Sequence, residues 1–169
     1  LPQRSLEVLM MDVATAAAVL ALSGSAAACT CDEADQVNKL QQLADSVAGS
    51  QFLATKKEVR WEDPSGRAHA VVYGGCDHLG FTITRRDPEG RQLSDVEVLE
   101  EAVRLARIPG WMTEDEILKR AVETKGYTRE ESEGTVRYTL TGTDYAEMYV
   151  ESKLASGYSE LSFAWVRDF

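Results

Sequence analysis

Three cysteines and two histidines are the residues of this chain whose chemistry goes beyond ordinary folding. Cys76 and His78 flank Asp77 at the tip of a Gly-rich turn, and Cys29 and Cys31 stand one residue apart upstream. Together Cys29, Cys31, Cys76 and His78 would supply three thiolates and an imidazole, a set that suits zinc. A C-x-C spacing is tighter than zinc sites usually show, and an exported chain tends to oxidise its thiols. The reading therefore favours a disulfide from Cys31 to Cys76, with no metal and no other cofactor. Cys31 is preferred to Cys29 because it stands nearer the first helical segment. Closing a loop of about 45 residues would stabilise the fold by roughly 3–4 kcal/mol, less any native strain. A cysteine nucleophile assisted by His69 or His78 would need an orienting Asn or Asp, and none stands at a recognisable spacing. No catalytic residue is assigned.

The elements that must position these groups follow from hydrophobic period. Around Gly74-Gly75-Cys76-Asp77 the sequence alternates: His69, Val71 and Tyr73 oppose Ala70 and Val72. Beyond the turn, Leu79, Phe81 and Ile83 oppose Gly80, Thr82 and Thr84. Such alternation predicts a β-hairpin from Ala68 to Arg86 with one buried face. Upstream, Val37, Leu40, Leu43, Ala44 and Val47 form an apolar stripe, which predicts a helix over 32–49 ended by Gly49. Lys56–Glu62 reads as a strand, and Asp63-Pro64-Ser65-Gly66 as a turn.

Downstream, Ser94-x-x-Glu97 has capping-box spacing and opens a helix to Ile108, with Val96, Leu99, Val103 and Ala106 as its stripe. Thr113-x-x-Glu116 repeats the spacing before a third helix that carries Ile117, Leu118, Ala121 and Val122. Strands follow at 135–141, 145–151 and 160–167, with a long loop over 154–159. A shift of 77 residues carries Gly49 onto Gly126 and Val59-Arg60-Trp61 onto Val136-Arg137-Tyr138. The expected fold is α+β: antiparallel sheet with helices on one face, built as a tandem α-β-β-β repeat with an extra helix between copies. Its parts would be 29–90, an inserted helix at 91–112, and 113–169, all within one domain.

Residues 1–28 read differently. Arg4 precedes an apolar run from Val13 to Leu22, then Ser23-Gly24-Ser25 and Ala26-Ala27-Ala28. That pattern predicts a secretory signal peptide cut after Ala28, and hence a periplasmic or cell-envelope protein. The run is too short to span a bilayer, which needs about 20 residues. Ala26–Cys29 resembles the lipobox of bacterial lipoproteins, although the usual leucine is absent. The resemblance implies acylation of Cys29, the only route to a membrane that this sequence offers.

Function classes narrow by charge. A formal net charge of -10 and pI ≈ 4.7 argue against nucleic acid, because phosphate binding needs clustered basic residues. Phosphate loops, nucleophile elbows, H-E-x-x-H and EF-hand loops are absent from the sequence. Without a catalytic set, the reading is a protein-binding module of the inhibitor or immunity kind, directed at a basic toxin or hydrolase. The alternative is a structural or small-ligand-binding envelope lipoprotein without a toxin partner, and the minority alternative an uncharacterised hydrolase. Candidate contacts are Asp77 and His78 at the hairpin tip, Trp111 in a helix connection, and Glu130 and Glu131.

Overall fold

The period-two segments assemble into one antiparallel sheet. The computed structural model describes residues 32–74 and 79–167. Helix α1 (Glu33–Ser46) precedes β1 (Gln51–Leu53), a 3-10 turn, β2 (Glu58–Glu62), β3 (Ala68–Tyr73) and β4 (Leu79–Asp87). Helices α2 (Asp95–Ala106) and α3 (Glu114–Thr124) follow, then β5 (Tyr127–Ser132), β6 (Thr135–Leu140), β7 (Glu147–Ala155) and β8 (Tyr158–Arg167). The eight strands lie in the order β1-β2-β3-β4-β8-β7-β6-β5. Read inward from either edge, that order is the same. At the centre β4 and β8 pair antiparallel from Leu79↔Arg167 to Asp87↔Ser159. The fold is α+β.

One cross-strand row shows why these residues specify this sheet. Val59, Val71, Ile83, Phe163, Val150 and Tyr138 stand side by side across six strands. Each is at most 1% exposed. Their apolar sides meet Leu40 and Leu43 of α1, Val98, Leu99, Ala102 and Leu105 of α2, and Leu118 and Ala121 of α3. One residue further along each strand the side chains turn to the other face. There the row is Ala70, Thr84, Ser162, Glu151 and Arg137, half-buried and largely polar. Small residues at the centre bring strands close: a Cβ on Gly80 would stand 2.6 Å from the Trp165 carbonyl oxygen.

The hairpin has the expected register, with Val71 opposite Ile83 and Tyr73 opposite Phe81. The Ser94 capping box is present: its side chain accepts from the Glu97 amide, and the Glu97 carboxylate accepts from the Ser94 amide at 2.9 Å. Other expectations need correction. Thr113 makes no side-chain cap; the Glu114 carboxylate accepts from the Thr113 amide instead, at 3.0 Å. Val96 is 66% exposed, because α2 buries Val98, Leu99 and Ala102, a stripe rotated from the expected one. The long loop over 154–159 is a tight hairpin, with Ala155 paired to Tyr158 and Gly157 at φ 87°. Each run of strands also holds four members, not three, since β1 and β5 add an edge on either side.

Candidate functional site

Three regions hold groups that could engage another molecule: the hairpin end of the sheet, the helical layer, and a charged cleft beside α2. At the hairpin end, Cys29, Cys31, Cys76, Asp77 and His78 lie outside the described residues. Their described neighbours stand close together. Asp32 caps α1, accepting from the Asp35 amide at 3.1 Å, and Glu33 pairs with Lys57. The Lys57 ammonium lies 5.5 Å from the centre of the Tyr73 ring, and the Tyr73 amide donates to the Lys57 carbonyl at 2.9 Å. The start of α1 and the end of β3 therefore share one corner.

Trp111 turns inward. Its ring meets Phe81 edge-on at 6.3 Å, and its indole nitrogen is buried with no acceptor among the described residues. One edge still lines a shallow groove of about 330 Å³ with Gln42, Leu43 and Ser46 of α1. Nearby, Tyr145 is the centre of a buried polar group. Its hydroxyl donates to Glu114 at 2.7 Å and receives a hydrogen bond from Arg167 at 2.5 Å. Burial and the Glu114 carboxylate push the Tyr145 hydroxyl up to about 12. Burial and Asp95 do the same to Tyr138. The Tyr145 contacts tie the N-terminus of α3 to the sheet, and the Tyr138 contact ties that of α2.

His69 has a carboxylate partner that sequence spacing did not reveal. Its Nε2 lies 3.1 Å from Asp63, and its ring stacks on Trp61 at 4.9 Å. Asp63 is committed to its own turn. The Ser65 hydroxyl, with help from His69 and the Arg67 and Ser65 amides, holds its carboxyl well below the usual range. The hydroxyl nearest to this pair, on Ser65, donates to Asp63 at 2.6 Å and so is held as a turn contact. A turn whose carboxylate spans six residues to a strand histidine left no motif to find.

Charge is divided unevenly between the layers. Helix α1 carries three carboxylates and one base, α2 four and one, and α3 four and two. The strands together carry eight carboxylates and seven bases. Five bases from the sheet and connections offset much of the helical excess, through Lys57 to Glu33, Arg85 to Glu101, Arg91 to Glu97, Arg129 to Asp95 and Arg107 to Asp115. Asp45 and Glu123 have no ion-pair partner among the described residues. At the sheet edge, Glu131 pairs with Arg129 at 2.9 Å, while Glu130 is exposed and has no ion-pair partner among the described residues.

The cleft lies between the start of α2 and the lower end of β4, with a volume of about 470 Å³. At its floor Arg85 is 12% exposed and donates to Glu101 at 2.7 Å. Burial works against the Glu101 charge, yet Arg85 and Arg104 hold its carboxyl below the usual range. Among the described residues, no group of three or more His, Cys, Asp and Glu is arranged to hold a metal. No described helix is long and apolar enough to cross a membrane. Compared with known proteins, the chain matches no family model, no curated protein and no solved structure.

Proposed function

We propose that the chain is an exported protein-binding module, an inhibitor or immunity protein that neutralises a basic toxin or hydrolase in the periplasm or envelope. The observation that supports this reading is the helical layer, where ten carboxylates, the buried Glu114 apart, stand against four bases. A one-sided negative surface attracts a positively charged partner from a distance and orients it before contact. Asp45 on α1 and Glu123 on α3 are the positions where that charge is least offset. The leader at 1–28 supplies the compartment, and Cys29 the point at which a lipid would be attached.

The test is capture of partners from an envelope extract, followed by association kinetics at several salt concentrations. Association should slow as ionic strength rises, because exposed charges are screened beyond about 8 Å at physiological salt. Reversing Asp45 and Glu123 to Lys should lower the association rate more than it raises dissociation. Glu151→Lys, on the polar sheet face, should change it far less. A partner whose association ignores both salt and the helical charges would defeat the proposal. Mass spectrometry of the processed protein should find a start at Cys29, with a lipid mass if it is acylated; an uncut leader would remove the compartment from the argument.

A further inference from the structure

We propose that the charged cleft beside α2 binds a neutral, oxygen-rich small molecule, of the size and chemistry of a mono- or disaccharide. The inference does not depend on a protein partner. Its volume of about 470 Å³ lies within the range of small-molecule sites. Four of its lining side chains are arginines: Arg67, Arg85, Arg91 and Arg104. Each guanidinium offers five N–H donors and no acceptor.

The pairs inside the cleft use those donors unequally. Arg67 bonds Asp87 through Nε alone, at 3.2 Å. Arg85 bonds Glu101 through one Nη, and its Nε is buried with no acceptor among the described residues. Arg91 reaches Glu97 through one Nη only. Three of the carboxylates, by contrast, accept through both oxygens. Both oxygens of Glu101 accept, from Arg85 and Arg104. Both oxygens of Glu97 accept, from Arg91 and from the amide and hydroxyl of Ser94. Those of Asp87 accept from Arg67 and from the Glu89 amide at 3.3 Å.

Arginine donors are thus in surplus, and Glu89 and Glu100 of the lining accept no hydrogen bond among the described residues, which selects an oxygen-rich ligand that can both accept and donate. Formal charge selects among such ligands. The four arginines face five carboxylates, so the lining is close to neutral and slightly negative. A phosphate or polycarboxylate would gain its hydrogen bonds but meet those carboxylates at short range. A polyol meets no such repulsion, and its hydroxyls can also donate to Glu89, which has no ion-pair partner among the described residues, and to Glu100, whose only such partner is Arg104 at 3.7 Å.

Titration of the isotope-labelled full chain, followed by NMR, separates the outcomes. The probes are D-glucose, N-acetyl-D-glucosamine, D-glucuronate and glycine. The neutral sugars should give saturable shifts at Arg85, Asp87, Leu93 and Glu101. Arg67→Gln, a change at a side chain 43% exposed, should leave the fold intact and weaken that binding at least fivefold. Glu151→Gln, on the polar sheet face, should leave it unchanged. Saturation by glucuronate or glycine but not by the neutral sugars would overturn the ligand class. Shifts that never saturate, or that ignore Arg67→Gln, would overturn the site itself.

Discussion

The two faces of the sheet are built from alternate residues of the same strands, yet they obey different rules. On one face Val59, Val71, Ile83, Phe163, Val150 and Tyr138 form an unbroken apolar row under three helices. On the other, Thr84 and Ser162 share a hydrogen bond at 3.0 Å, and Arg137 stacks 3.7 Å from the Tyr149 ring while pairing with Glu147. The difference teaches where stability and charge reside. Stability comes from the covered face, because removing apolar area from water is the dominant favourable term. Unbalanced charge sits outside that face, on the helices, while the uncovered face pairs most of its charges with one another. A partner attracted by charge would therefore meet the helices, and the sheet would serve as their support.

The largest effect should come from cutting into the covered row. Phe163→Ala removes a fully buried ring between Ile83 and Val150 and should cost about 3–5 kcal/mol in chemical denaturation. Thr82→Ala, on the opposite face of the neighbouring strand, should cost no more than roughly 0.5–1 kcal/mol. Comparable losses at both positions would break the comparison, since the open face would then be part of a core.

Next in size is the expected link between the helical layer and the hairpin. Cys76→Ser should lower stability by roughly 2–4 kcal/mol if Cys76 is bridged to Cys31. The geometry that supports a bridge is the shared corner of Asp32, Glu33, Lys57 and Tyr73. Alkylation of the unreduced protein should leave Cys76 unmodified. Full reactivity, or loss of stability to a chelator and not to a reductant, would remove the disulfide.

A third measurement probes the polar contacts that pin α3 to the covered face. Tyr145 is pushed up to about 12, so its folded pKa lies above the ordinary tyrosine value near 10. The folded state then holds the proton more tightly than the unfolded state. Its contribution is complete below pH 10 and is lost as pH rises towards 12. Stability should decline across that window, with tyrosinate absorbance lagging behind model tyrosine. Tyr145→Phe should flatten the decline, leaving the share that belongs to Tyr138, which shifts the same way. A decline that begins well below pH 9 would have another cause.

Much of the covered face was legible in the sequence, because burial on one side leaves a period. His69, Val71, Tyr73, Phe81 and Ile83 alternate with Ala70, Val72, Gly80, Thr82 and Thr84, and the register follows. The edges were not legible, for the reason that edge strands bury little. Tyr127–Ser132 is exposed along nearly its whole length, and Gln51–Leu53 is three residues long, so neither shows a period. The mirrored strand order about β4 and β8 does not by itself make the two halves copies of one unit. The cleft was invisible for a different reason: its side chains come from positions 65 to 159, and only the fold brings them together. Trp111 gave a mixed signal, since a connecting segment rich in Pro and Gly reads as exposed whether or not its ring folds back.

The smallest effect is the sharpest comparison, because it sets two identical sequence patterns against each other. Ser94-x-x-Glu97 and Thr113-x-x-Glu116 have the same spacing before α2 and α3. At α2 both halves of the box form, and the Glu97 carboxyl is lowered by the Ser94 amide and hydroxyl. At α3 the Thr113 backbone is in the helical region, φ -107° and ψ -2°, where Ser94 is extended, and its side chain makes no cap hydrogen bond. Glu114 takes over, accepting from the Thr113 amide through one oxygen and from Tyr145 through the other. Ser94→Ala should therefore cost about 1 kcal/mol, the ordinary worth of an N-cap. Thr113→Ala should cost close to nothing, and Glu114→Gln more than either, since it disturbs a buried group at 7% exposure. Thermal or chemical denaturation of the three variants orders them directly. Equal losses at Ser94 and Thr113 would mean that both boxes form in solution, and that Glu114 does not replace a cap but adds to one.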